Sequence, residues 1–272
     1  MYVIRGNELM RKVQLLAVAG AASALTALAA IAGFADAQTA VAPVNTTPPT
    51  VSGTPRDGET LTAGEGTWTG AEPMTFTYQW QRCDANGLNC ADLAGATGRT
   101  YVVQTSDVGN RLRVRVTATN ATGSSTADSQ PTAPVTPPEG ATRLSSGRYS
   151  IPASSVRLPH RLVISGVEFV PGVLRSRQPY TGRFRVTDTR GYIVRDALVS
   201  VLGVPLGWIN AVQEVRTNVD GLATVQLQPT TRVRINGGSI VKFIRARKEG
   251  DNLLAGVSSR RLVRVRTARP GS

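Results

Sequence analysis

The chain has 272 residues and a formal net charge of +13, with 31 Lys and Arg set against 18 Asp and Glu. A single histidine, His160, leaves one possible imidazole base and excludes a multi-histidine zinc site. Val, Thr, Gly and Pro are abundant, and no long segment carries apolar residues at helical spacing, so the composition favours strands and turns.

The first element is an uncharged run of 22 residues, Val13 to Phe34, nine of them Ala. It follows Arg11-Lys12 and ends at Ala35-Asp36-Ala37, the positive, apolar, small-x-small order of a secretory signal. Residues 1–37 are therefore expected to be a signal-peptide helix cleaved after Ala37, with Met10 the natural start. The competing expectation is an uncleaved anchor, because 18 or more uncharged residues can span a bilayer. No later run reaches spanning length, so a secreted or cell-surface protein with no membrane span after cleavage is expected.

A short linker, 38–47, leads to a first module over 48–134. Met74, Phe76, Tyr78 and Trp80 alternate with Thr75, Thr77, Gln79 and Gln81; Leu112, Val114, Val116 and Ala118 alternate with Arg111, Arg113, Arg115 and Thr117. Period-two alternation marks half-buried strands. Turn signals recur at Asp57-Gly58, Thr69-Gly70, Asn86-Gly87, Asp107-Val-Gly109 and Thr122-Gly123. Many short strands so punctuated indicate a sandwich. The only two cysteines, Cys83 and Cys90, bracket the Asn86-Gly87 hairpin signal, and in an exported chain they are expected to form a local disulfide.

The motifs Gly58-Glu-Thr-Leu61, Gly66-Thr-Trp68, Tyr78-Gln-Trp80-Gln-Arg82-Cys83, Cys90-Ala-Asp-Leu93 and Asp107-Val-Gly109-Asn-Arg-Leu112 together resemble a bacterial immunoglobulin-like repeat. That repeat occurs, often in tandem, in exported proteins of actinobacteria and their relatives. The resemblance implies an immunoglobulin-like fold, export, and a spacer or interaction role without catalysis.

Proline-rich sequence over 135–153 is expected to be an extended linker. Beyond it, 154–269 forms a second module, with strands expected at 161–167, 181–187, 193–202, 212–217, 222–227, 240–247 and 260–267. Val186-Thr-Asp188-Thr-Arg-Gly191-Tyr-Ile-Val194-Arg-Asp-Ala197, followed by Thr217-Asn-Val-Asp220-Gly221-Leu-Ala223, is similar to invasin-type and carboxypeptidase-regulatory-like immunoglobulin-like domains. Ile193 stands where those domains commonly have proline. The fold class expected is all-β: two immunoglobulin-like sandwiches joined by a Pro-rich linker.

Charge divides between the modules. Residues 38–138 hold 6 Arg and 8 acids, whereas residues 139–272 hold 20 Arg, 2 Lys and 8 acids. The second module is therefore the one suited to an anionic partner, either a cell-envelope polymer or an extracellular polysaccharide. The arginine pairs Arg183/Arg185, Arg232/Arg234, Arg245/Arg247 and Arg264/Arg266 each place two side chains on one side of an expected strand. If those strands share a sheet, the pairs add into one basic face; the bland alternative is a dispersed solvation coat. Neither a dedicated nucleic-acid site nor a cofactor is implied.

Catalytic patterns find little support. His160 is expected in an exposed loop, and most acids flank glycine in turns. Asp188, Asp196 and Asp220 are weighed as calcium ligands without a supporting motif. Lys242, in Ile240-Val-Lys-Phe-Ile244, admits an isopeptide cross-link, but the favoured expectation is a solvent-facing lysine on an edge strand. Trp68 and Trp80 are expected inside, while Trp208, between turn formers, is the candidate glycan contact. No catalytic and no metal residues are assigned. The sequence therefore predicts an exported, non-enzymatic adhesion, envelope-association or spacer module, with other surface proteins as further partners; the alternative is a glycan-binding accessory module.

Overall fold

The computed structural model describes residues 41–252 and 255–268; the expected signal peptide lies outside them. Among the described residues no helix is long and apolar enough to cross a membrane.

The first sandwich contains β1 (Val44–Thr47), β2 (Thr50–Ser52), β3 (Thr60–Gly64), β4 (Thr67–Thr69), β5 (Thr75–Cys83), β6 (Ala91–Asp92), β7 (Thr100–Val102), β8 (Arg111–Asn120) and β9 (Gly123–Asp128). One sheet has the order β2-β3-β7, the other β6-β5-β8-β9, and β1 pairs with β4. The division of strands between two antiparallel sheets is that of an immunoglobulin-like sandwich. Leu112, Val114, Val116 and Ala118 are all fully buried, as their alternation predicts. Trp80 is fully buried too, donates its indole N–H to Gly98 at 2.9 Å and stacks on Tyr101 with ring centroids 5.6 Å apart. Trp68 is half-buried against this core. Cys83 and Cys90 are disulfide-bonded, and Asp84 caps the intervening loop by accepting from the Asn86 and Leu88 amides at 2.9 Å each.

The second sandwich contains β10 (Thr142–Arg143), β11 (Tyr149–Pro152), β12 (Leu162–Val170), β13 (Val173–Leu174), β14 (Tyr180–Asp188), β15 (Ile193–Arg195), β16 (Leu198–Val204), β17 (Val215–Arg216), β18 (Leu222–Leu227), β19 (Ser239–Arg247) and β20 (Ser259–Thr267). In one sheet β14 is flanked by β12 and β18, with β15, β11 and β10 continuing from its end; the other runs β13-β20-β19-β16-β17. The single strand expected over 193–202 is two. Asp196 takes a positive φ of 63°, and the chain passes there from β15 in one sheet to β16 in the other.

The stretch read as linker is part of the folded body. Val135 is buried in the first core, Ile151 and Ala153 in the second, and β11 pairs with β15 in parallel. The expected linker at 38–47 likewise contributes β1. Each sandwich keeps its own hydrophobic core.

Candidate functional site

Polar and charged groups gather at the junction between the sandwiches, at the end of the second sandwich remote from it and on the outward faces of its sheets, and, within the first sandwich, around Asp107, which Arg82 and Tyr101 bond.

At the junction, Asp57 of the first sandwich is buried. Its Oδ2 accepts from the Thr105 hydroxyl and from the Tyr192 hydroxyl, each at 2.7 Å. The Arg190 guanidinium approaches Asp57 at 3.6 Å and bonds Asp188 at 2.8 Å, while its Cζ lies 5.1 Å from the Tyr192 ring centroid. Burial, and then the bond to Asp57, pushes the Tyr192 hydroxyl's pKa up. Asp188 also caps the backbone N–H groups of Arg190 and Tyr192 at 3.0 Å. Its oxygens are thus committed to this network, Asp196 faces Arg195 at 3.8 Å, and no group of three metal-ligating side chains occurs among the described residues. Beside the network opens a cleft of ≈ 440 Å³ lined by Arg56, Glu139, Arg157 and His160, among others. His160 stands there in a loop, as expected, but is half-buried, with its Nδ1 3.5 Å from the Thr189 hydroxyl.

The arginine pairs separate by environment. Arg183 and Arg185 project outward from β14, and Arg183 pairs with Glu168 at 3.3 Å. Arg245 and Arg247, on the outward side of β19, both bond Glu214, which holds that carboxyl below its usual pKa. Arg264 and Arg266 are exposed on β20, and Arg232 and Arg234 are exposed in the loop before β19, not on a strand. One continuous basic face does not form, because β14 and β19–β20 belong to different sheets.

The structure does bring two pairs together at the remote end. Ser239, next to the loop of Arg232 and Arg234, is opposite Arg266, and Arg266 is opposite Val173. Arg177 donates from Nε to the carbonyl of Val233 at 2.8 Å, and Thr267 N–H donates to Gly238. The segments meeting here, 171–180, 204–213, 226–242 and 260–268, contain neither Asp nor Glu. Arg177 was missed by pairing residues along expected strands, because it joins the cluster through a loop.

Trp208 lies at the same end, but it is half-buried and packs against the second core, with its carbonyl accepting from Thr230 at 3.0 Å. Lys242 overturns its expectation outright: it is fully buried on the core side of β19, which has β16 and β20 on its two flanks and is not an edge. Its Nζ has no hydrogen-bond partner and sits 4.5 Å and 5.0 Å from the ring centroids of Phe169 and Tyr180. Loss of hydration lowers its pKa to about 7. Among the described residues its neighbours are aromatic rings and no acid or amide bonds it, so no isopeptide arrangement surrounds it there.

No family model matches the chain, and no curated protein matches it. Among solved structures it is similar to the D00-D0 domain of intimin, at 14% identity and a TM-score of 0.34, covering 81% of this chain and 99% of that one. It is similar also to the titin fragment A168169, at 11% identity and a TM-score of 0.27, over 83% and 98% of the two chains. An endo-fucoidan hydrolase matches at 13% identity and a TM-score of 0.28, with 84% of this chain and 29% of that chain covered.

Proposed function

We propose that the chain is an exported surface or extracellular module without catalysis, which rests its basic remote end on anionic polymer of the cell envelope or on acidic polysaccharide. The observation that carries this reading is the convergence of Arg177, Arg232, Arg234, Arg264 and Arg266 from three separate segments into a region whose sequence holds no acid. Such a cluster keeps a positive potential that internal ion pairs do not cancel, and it attracts polyanions without needing a shaped pocket. Export is supported by the signal-like amino terminus, by the disulfide and by the resemblance of the first module to a repeat of exported proteins. The buried junction favours a semi-rigid rod that holds the basic end away from the near-neutral first sandwich.

The test is titration of the folded chain with heparin and with a neutral glucan at several salt concentrations. Heparin binding that falls steeply between about 50 and 200 mM salt supports the reading, because released counterions drive it. Salt-insensitive binding of the neutral glucan would instead favour the carbohydrate alternative through Trp208.

A further inference from the structure

The outward face of the sheet β20-β19-β16 carries an apolar band that the basic end does not account for. Register sets Leu202 opposite Phe243 and Phe243 opposite Leu262, and in the next row Val204 opposite Val241. Alternation turns all five away from the core, since Val201, Ile240, Ile244 and Val265 on the same strands are buried. Leu262 is 65% exposed, Leu202 46% and Val204 41%. Arginines stand on both sides of the band: Arg245 opposite Arg260 in one flanking row, Arg264 opposite Val241 at the end of the second apolar row, and Arg266 in the row beyond it. The second sandwich's other sheet differs, since on its outward face Arg183 stands between Glu168 and Thr224 and Thr181 is opposite Gln226.

Single exposed aliphatics need no explanation, but a contiguous apolar patch with a charged rim marks an interaction surface. We propose that this band docks a protein partner presenting an apolar ridge flanked by Asp and Glu. The rim decides the occupant. A second copy of this face would set arginine rows against arginine rows, with Glu214, already shared by Arg245 and Arg247, and Asp251 as the acids beside Leu202. Like charges across an interface are costly, whereas an acid-flanked ridge sets opposite charge against the arginine rows and covers the band. A flexible polyanion would pair with the arginines and leave Leu262 and Phe243 in water.

The probe is a labelled peptide with a Val-Phe-Leu-Val centre and three Glu at each end, compared with the same centre between lysines, added to the full folded chain at about 150 mM salt. The proposal expects saturable binding of the Glu-flanked peptide alone, weakened about tenfold or more by Leu262→Asp and, as a second variant on a neighbouring strand, by Leu202→Asp. Arg232→Glu with Arg234→Glu should weaken heparin binding about tenfold or more yet leave the peptide bound, so failure here is distinct from failure of the basic-end reading. Absence of saturable binding, indifference to both Asp variants, or a dimer in sedimentation that Leu262→Asp dissociates would each overturn the proposal.

Discussion

The hydroxyl of Tyr192 in the second sandwich donates a 2.7 Å hydrogen bond to Asp57 in the first, across a boundary that the two hydrophobic cores do not cross. A buried carboxylate of this kind holds its place only while its donors remain. Asp57→Ala leaves Arg190 with Asp188 alone and is expected to cost about 3 kcal/mol, with Tyr192→Phe costing about 1–2 kcal/mol. Calorimetry should resolve two transitions for Asp57→Ala where the parent unfolds as one, and small-angle scattering should show a broader distribution of module separations. Unchanged scattering in both variants would show that the junction does not set the geometry.

Lys242 makes the second sandwich sensitive to pH in a definite direction. Its pKa falls from 10.5 in the unfolded chain to about 7 when buried, so the unfolded state binds the extra proton between those values. Stability from this group therefore rises as pH increases from about 7 to about 10.5 and is level below and above that window. Lys242→Met removes the charge and keeps the volume, and it is expected to stabilise the fold by a few kcal/mol, on the order of the desolvation cost, at neutral pH. Urea unfolding at pH 7 and pH 10 checks this: the advantage of the Met variant should shrink at the higher pH.

The Cys83–Cys90 bridge closes a loop of only a few residues, with sequence separation 7. The entropic gain expected for so short a loop is about 2–3 kcal/mol. Thiol labelling of unreduced, denatured protein should find no free thiol, in keeping with the absence of free cysteine. Replacing both residues by Ser should lower stability by that amount without altering heparin binding.

The arginine pairs should divide by their partners. Reversing Arg232 and Arg234, or Arg264 and Arg266, to Glu is expected to weaken heparin binding about tenfold or more and to flatten its salt dependence. Reversing Arg183 and Arg185 should have a small effect, and reversing Arg245 and Arg247 should mainly destabilise, because both bond Glu214. Equal effects from all four pairs would restore the dispersed-coat reading.

Alternation along β5, β8, β14 and β19 was legible in the sequence, because period-two patterning is local and each buried side was almost entirely apolar. Lys242 was misplaced by its charge and not by alternation: period two sets it on the side opposite Arg245 and Arg247, but a lysine reads as solvent-facing on an edge strand, and only the partners β16 and β20 make β19 central. The disulfide too was readable, since its two cysteines flank a single hairpin turn. Which arginines stand together was not, because Arg177, Arg232 and Arg266 meet through loops and strand register from three separate segments. Composition thus determined an all-β fold, a basic second half and a local bridge. Tertiary structure decided how charge is shared out, what Asp57 and Lys242 face, and where an apolar band stays uncovered, since each depends on contacts between residues far apart in the chain.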